Sequence, residues 1–305
     1  MGKRTQTQVM ADWQPEVKPL VSIICPTFNQ EAYIGEAIDS FLLQETSFPF
    51  EIVIYNDAST DKTTAIVERY RQAYPRLIRH IVNETNEYSQ GKRVVILALA
   101  HARSPYVALC EGDDYWADPS KLETQVRFLE SHPDYVITYH DSQPFDERGA
   151  LHIDFKGARR DLSALEIQRA TPLFTLTTCF RNVVREFPQE FAAARFGDLC
   201  LWSLLGKYGK GKYMPGIAPA KYRLHRNGVF STQEYRAKLD MGLYTYSALA
   251  AYYSRIKEFD NANHFKTKAA ISVIKSIGLP SLGLSAIKWA ISSFLKALVT
   301  DGRES

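Results

Sequence analysis

Short apolar runs alternate with amphipathic helical stretches through the first 110 residues, and this alternation constrains the fold more than any other feature. Val21–Cys25 (VSIIC), Glu51–Tyr55 (EIVIY), Arg79–Val82 and Tyr106–Cys110 (YVALC) read as strands. Between them, Ile34, Ile38, Phe41 and Leu42 recur at helical spacing within Glu31–Gln44. Ile66, Val67 and Tyr70 share one face of a second helix, and a third spans about Gln90–Ala102. Strands apolar throughout belong to sheets buried on both faces. Their alternation with helices implies crossover connections and a mostly parallel sheet. In such sheets ligands lie outside the carboxyl ends of the strands. The segments there are Pro26-Thr27-Phe28-Asn29, Asn56-Asp57-Ala58-Ser59 and Glu111-Gly112-Asp113-Asp114, all polar or acidic, with Pro26 expected to end the first strand.

The expected fold class is therefore α/β, a Rossmann-like, mostly parallel sheet flanked by helices, with a C-terminal helical extension. A chain of 305 residues suits one large domain and an appendage. We expect a flexible lead-in over 1–19, a catalytic domain over 20–230 and a helical region over 231–305. Within the second, 119–230 adds strand-like runs at Tyr135–His140 and Thr175–Arg181. Hydrophobic residues at 45% and charged residues at 23% exclude a disordered chain. Cys25, Cys110, Cys179 and Cys200 are too scattered for a metal knuckle and read as reduced core residues. No apolar h-region precedes Trp13, and no uncharged run reaches the ~18 residues that span a bilayer. The expected location is the cytoplasm.

Three carboxylates within four residues, Glu111, Asp113 and Asp114, repel one another, and a hard divalent cation is the usual relief. A solvated acidic turn ahead of the helix near Pro119 explains the same composition. No Walker-A loop and no G-x-G-x-x-G is present, which removes P-loop NTPases and standard dinucleotide binders.

Pro26-Thr27-Phe28-Asn29, the Asp57–Asp61 turn and LCEGDDYW at 109–116 resemble family 2 glycosyltransferases. So do Gly197-Asp198-Leu199-Cys200-Leu201-Trp202 ahead of Gly206–Gly209, and Tyr222-Arg223-Leu224-His225. The resemblance covers about 20–230. It implies a GT-A fold, a nucleotide-diphospho-sugar donor bound by the 20–118 half, an acceptor bound by the 119–230 half, and inversion at the anomeric carbon. Pro26, Thr27, Phe28 and Asn29 would line the nucleotide pocket. Asp57 would accept the imide N–H of uracil, with an N-cap or Asx-turn role as the competing reading. Glu111 and Asp113 occupy the acidic positions of a D-x-D motif, here with Glu first. Asp113 is the implied Mn²⁺ or Mg²⁺ ligand, with Glu111 helping through ribose or a metal-bound water and Asp114 orienting them or contacting the sugar. Asp198 matches the base, and a helix N-cap role is compatible with it. His225 matches a position contacting metal or diphosphate, and Arg223 is an alternative phosphate partner. Lys92 or Arg93 would approach the nucleotide or form an exposed helix face. Trp116 would stack on a sugar or pack internally, and Thr178 and Arg181 are further acceptor-side candidates.

The absence of Q-x-x-R-W and of membrane spans points to addition of one sugar, and relatives of this size commonly build bacterial surface polysaccharides on lipid carriers. Glu at position 111 keeps open a catalytically silent domain that binds nucleotide-sugar or glycan in an assembly complex. A nucleotidyltransferase would carry a glycine- and basic-rich loop where Pro26–Asn29 stands. The formal net charge of +3 is too small, if spread evenly, for an obligate nucleic-acid binder. It is not even: residues 261–300 hold five lysines and no other charged residue, so the rest sum to 3 − 5 = −2. Leu284, Ile287, Ile291, Phe294, Leu295 and Leu298 share one helical face. A basic amphipathic tail suits the inner face of an anionic plasma membrane, and the same apolar face suits packing on the catalytic domain or a dimer contact.

Overall fold

A computed structural model describes residues 4–14, 16–226, 228 and 233–276. The chain forms two compact units, Met1–Phe187 with Gly197–Ser231, and Pro188–Phe196 with Thr232–Ser305.

In the first unit the expected strands appear as β1 (Val21–Thr27), β2 (Phe50–Asn56), β3 (Ile78–Val82) and β4 (Tyr106–Leu109). They are followed by β5 (Tyr135–Tyr139), β6 (Ser142–Asp146), β7 (Gly149–Ala150), β8 (Cys179–Arg181), β9 (Lys210–Tyr213) and β10 (Ala220–Arg223). One sheet has the order β3-β2-β1-β4-β8-β5-β9, and a smaller one the order β10-β6-β7. β1 to β4 are mutually parallel, β8 runs against both β4 and β5, and β9 is parallel to β5. Hence β5 and β9 point the same way as β1–β4, and six strands end at one edge.

The helices are α1 (Gln6–Val9), α2 (Ile34–Leu42), α3 (Thr63–Ala73), α4 (Val94–Leu99), α5 (Lys121–Ser131), α6 (Ala164–Gln168) and α7 (Gly197–Leu205). Val21, Ile23 and Cys25 of β1 form one core with Ile38 and Phe41 of α2, Val67 of α3 and Val126 of α5. Alternation sends the buried Ile24 and Val53 to the opposite face.

Three local expectations change. β1 continues through Pro26 to Thr27, because the proline nitrogen faces the β4 side just beyond the last β4 residue and breaks no ladder bond. Its carbonyl accepts the Gly112 N–H at 3.0 Å. The helix expected over Gln90–Ala102 shortens to α4, and Thr175–Thr177 is a 3₁₀ turn. Residues 4–13 are packed where a flexible lead-in was expected. Thr5 and Gln8 form a capping box, Val9 enters the core, and Trp13 meets Phe50 edge-on at 5.0 Å.

The second unit holds the 3₁₀ turn Gln189–Ala193, α8 (Tyr235–Arg255) and α9 (Phe259–Ser276). Phe265 of α9 stacks on Tyr253 of α8 at 5.6 Å, and Lys268 lies over the Tyr246 ring at 5.2 Å. The apolar face of α9 is therefore committed to α8, and Lys268 is not a surface lysine. Residues 284–298, the core of the expected membrane-binding face, lie outside the described residues. Among those described, no helix is long and apolar enough to cross a membrane.

Candidate functional site

The loops leaving β1, β2 and β4 are tied together by their own side chains. Asn29 sits at φ +50°, a region that asparagine tolerates better than most residues. Its Oδ1 accepts the Thr60 N–H at 2.7 Å, and its own N–H donates to Ser59 Oγ at 3.0 Å. Asn29 therefore joins two loops through its Oδ1 and its backbone N–H. Thr27 is buried, and its hydroxyl donates to Gln30 Oε1 at 2.7 Å. Gly112 explains why this loop lies so close to the acidic turn. A Cβ there would stand 2.5 Å from Gln30 Oε1 and 2.8 Å from Thr27 Oγ1. Pro26 completes β1, and Phe28 alone of the four residues stays at the surface, 43% exposed.

Asp57 takes a role that neither expectation contained. It is buried, Oδ1 accepts the Glu87 N–H at 2.8 Å and the Asn83 amide at 3.1 Å, and Oδ2 accepts the Tyr88 N–H at 3.0 Å. It fastens the 83–88 segment to the end of β2 and leaves Oδ2 capacity for one further donor. It caps no helix: α3 starts after Lys62, without a side-chain cap.

The acidic cluster follows β4. Glu111 Oε2 accepts the Thr175 hydroxyl at 2.9 Å, and Asp113 Oδ2 lies 2.9 Å from His225 Nε2. Asp114, 3% exposed, accepts the Arg223 backbone N–H at 2.7 Å. Burial, then the Asp113 charge, pushes the Glu111 carboxyl up to about 7. Burial followed by Asp113 and Glu111 pushes Asp114 well above the carboxylate range. The Arg223 guanidinium donates to the Asp113 carbonyl at 2.8 Å, pairs with Glu36, and lies over Tyr33 and Phe145 at 4.7 and 4.4 Å. Arg223 thus supports the turn through its backbone and side chain together.

Two carboxylates and an imidazole make a donor set suited to Mg²⁺ or Mn²⁺, and the repulsion raising Glu111 and Asp114 is what such a cation relieves. Asp113 and His225 already stand together, with Tyr33 packed on the imidazole at 4.8 Å. Among the described residues no three ligating side chains converge on one point. His225 Nδ1 is buried without a hydrogen-bond partner.

Asp198 lies in the first turn of α7, partly buried. Burial pushes its carboxyl up to about 6, against the opposing pull of the Leu199 N–H. Its charge also raises Glu111, so the two carboxyls share one field. Gly197 lets α7 start against the 93–95 segment, since a Cβ there would be 3.0 Å from Val95 Cγ1. Arg93 is buried there and acts electrostatically on Cys200. Lys92 instead pairs with Glu87 and is half-exposed, so Arg93 is the cation turned inward.

On the acceptor side, the structure gives all three candidates packing or backbone-bonding roles, the internal-packing alternative in the case of Trp116. Trp116 is 4% exposed, donates Nε1–H to the Leu176 carbonyl at 2.8 Å and packs against Phe41, so it is a core residue. Thr178 is fully buried with its hydroxyl on the Thr175 carbonyl. Arg181 donates to the carbonyls of Tyr135, Leu129 and His132, closing the C-terminal end of α5 far along β8 from the acidic edge. Tyr33, Glu36, Thr175 and Gly112 belong to the site without having been singled out. Only Gly112 carried a signal, its place inside the acidic turn.

The family model for glycosyl transferase family 2 matches residues 22–187, over half of the chain. An uncharacterized protein of Mycobacterium tuberculosis is 45% identical over 147 residues, which are 47% of this chain and 41% of that protein. The chain thus spans about two-fifths of the length of the mycobacterial relatives it matches. Staphylococcus aureus TarS, in a crystal structure with UDP-GlcNAc, has TM-score 0.58 and 23% identity over 83% of this chain and 71% of that one. A mannosyltransferase from Pyrobaculum calidifontis, in complex with GDP-Man and Mn²⁺, has TM-score 0.53 and 16% identity over 92% and 81%. The two structures share the expected GT-A fold. With the strand order, the acidic turn after β4 and the family match in agreement, this chain belongs to glycosyl transferase family 2.

Proposed function

We propose that the protein is a metal-dependent, inverting glycosyltransferase. It adds one sugar from a nucleotide-diphospho-sugar to a hydroxyl of a glycan or lipid-linked acceptor in bacterial surface-polysaccharide synthesis, at the cytoplasmic face of the membrane. The observation that carries this reading is the pairing of two groups at one sheet edge: the Glu111–Asp114 turn with its His225 and Arg223 partners, and Asp198 within electrostatic reach of Glu111. UDP-sugars are the first donors to test, since TarS is described with UDP-GlcNAc. GDP-mannose is the second, from the mannosyltransferase complex.

Asp113 and His225, with Glu111, would hold Mn²⁺ or Mg²⁺, which supplies positive charge for the departing diphosphate. Arg223 keeps the turn in place and adds a fixed cation beside it. Asp198 takes the proton of the acceptor hydroxyl as that oxygen attacks the anomeric carbon and the bond to the diphosphate breaks on the opposite side. A carboxyl raised to about 6 is ionised at neutral pH yet a stronger base than an exposed aspartate.

The test is release of nucleoside diphosphate from a panel of nucleotide-sugars with Mn²⁺. One donor should be consumed slowly by wild type and not by D113A. No release from any donor, with or without metal, removes the enzymatic reading.

A further inference from the structure

Of the three carboxylates in the acidic turn, Glu111 has the longest arm, one methylene more than Asp113 or Asp114. It therefore has the most rotamer freedom to lose when it holds a ligand. A contact that fixes such a side chain beforehand strengthens binding, because the ordering is done before the ligand arrives. Here the contact comes from 64 residues away: the Thr175 hydroxyl donates to Glu111 Oε2 at 2.9 Å. A carboxylate has about four acceptor positions, so this bond leaves Glu111 capacity for a cation.

Thr175 is itself held firmly. Each of the next three backbone carbonyls receives a side-chain donor from another part of the chain. The Leu176 carbonyl accepts Trp116 Nε1–H at 2.8 Å, the Thr177 carbonyl accepts the Gln125 amide at 3.0 Å, and the Thr178 carbonyl accepts the Lys121 ammonium at 3.4 Å. Lys121 and Gln125 are fully buried on α5 and bond each other at 2.7 Å, and the ammonium lies 4.2 Å from the centre of the Trp116 ring. A lysine is rarely buried so completely. Its charge here goes to fixing the turn that carries Thr175.

Two nearby threonines show how the third differs. The Thr177 hydroxyl donates to the Phe174 carbonyl and the Thr178 hydroxyl to the Thr175 carbonyl, both at 2.8 Å, so both close the turn on itself. Among the described residues the Thr175 hydroxyl bonds Glu111 alone. Trp116 lies two residues beyond Asp114, so the acidic turn is tied to the 175–178 turn on both sides of its aspartates, through Glu111 and through Trp116.

We propose, on the transferase reading above, that Thr175 is a positioning residue whose hydroxyl holds the Glu111 carboxylate in one conformation for a divalent cation, with Lys121, Gln125 and Trp116 anchoring the turn that carries it.

Titration of Mn²⁺ into the full chain with saturating UDP or GDP, read by the EPR signal of free Mn²⁺, tests this. T175V keeps the side-chain shape without the hydroxyl and should weaken Mn²⁺ binding about tenfold (~1.4 kcal/mol). T175S restores the hydroxyl and should stay within about threefold of wild type. In E111D the shorter arm no longer reaches the hydroxyl, so adding T175V to E111D should cost less than about twofold. Unchanged Mn²⁺ affinity in T175V overturns the proposal, as does a T175S protein as weak as T175V. An equal T175V loss with Glu or Asp at 111 also overturns it, because the effect then does not pass through Glu111. A wild type that binds no Mn²⁺ with either nucleotide overturns the metal-dependent transferase reading and this proposal with it. Should T175V fail to fold, T175A takes its place under the same criteria, and should E111D bind no Mn²⁺, the comparison of T175V with T175S decides.

Discussion

Replacing Asp198 by asparagine separates the catalytic cost of this residue from its structural cost. Burial lifts the carboxyl from 3.8 to about 6. At about 1.36 kcal/mol per pKa unit, the ionised side chain costs the folded state about 3 kcal/mol at pH 8. The sign follows from linkage. A group whose folded pKa is raised contributes stability that is fully present below about pH 4 and is lost as pH rises through 6. D198N keeps the shape and one acceptor for the Leu199 N–H but carries no charge. It should therefore be up to about 3 kcal/mol more stable than wild type at pH 8 and nearly equal to it at pH 4. Urea unfolding followed by tryptophan fluorescence reads this directly, since Trp13, Trp116 and Trp202 all lie in the sheet-bearing unit. Transfer by the same variant should fall by about 10²–10⁴-fold, the usual worth of a general base. A D198N protein no more stable at pH 8 than wild type, or shifted equally at both pH values, would refute the burial argument.

Further outcomes bear on neighbouring residues. The kcat/KM of transfer should rise about tenfold per pH unit below 6 and level off above it; a profile flat from pH 5 to 8 would contradict Asp198 as the base. D57A should destabilise the protein by about 1–3 kcal/mol, because the Glu87 and Tyr88 N–H groups and the Asn83 amide lose their acceptor. Urea midpoints within 0.1 M of wild type would show that those bonds do not matter. G112A should cost about 1–3 kcal/mol from overpacking against Gln30, Ile34 and Thr27 and raise the donor KM, whereas unchanged donor kinetics would mean the loop yields freely.

The β1–β4 half of the sheet-bearing unit was legible in the sequence because it is written in short-range patterns. Apolar runs of five residues and helical spacing located β1 to β4 and α2 and α3, and the acidic turn announced itself by charge density. What stayed hidden was set by contacts distant along the chain. Nothing local marks Thr175 as the partner of Glu111, or the 83–88 segment as the partner of Asp57. Pro26 looked like a strand end because a sequence does not reveal on which side a neighbour stops. Trp116, Thr178 and Arg181 have residue types shared by sugar sites and structural roles; burial assigns the first two to the core, and bonds to backbone carbonyls hold Arg181 at the end of α5.

The most direct test of the acidic turn as the metal–nucleotide site is calorimetric titration of UDP and GDP into wild type, D113A and D198N, with and without Mn²⁺. Wild type and D198N should bind at least one nucleotide at least about tenfold more tightly with Mn²⁺ than without it, and D113A should lose that difference. Equal Mn²⁺ dependence in D113A and wild type would contradict the assignment of Asp113, and with it the mechanism built on that turn.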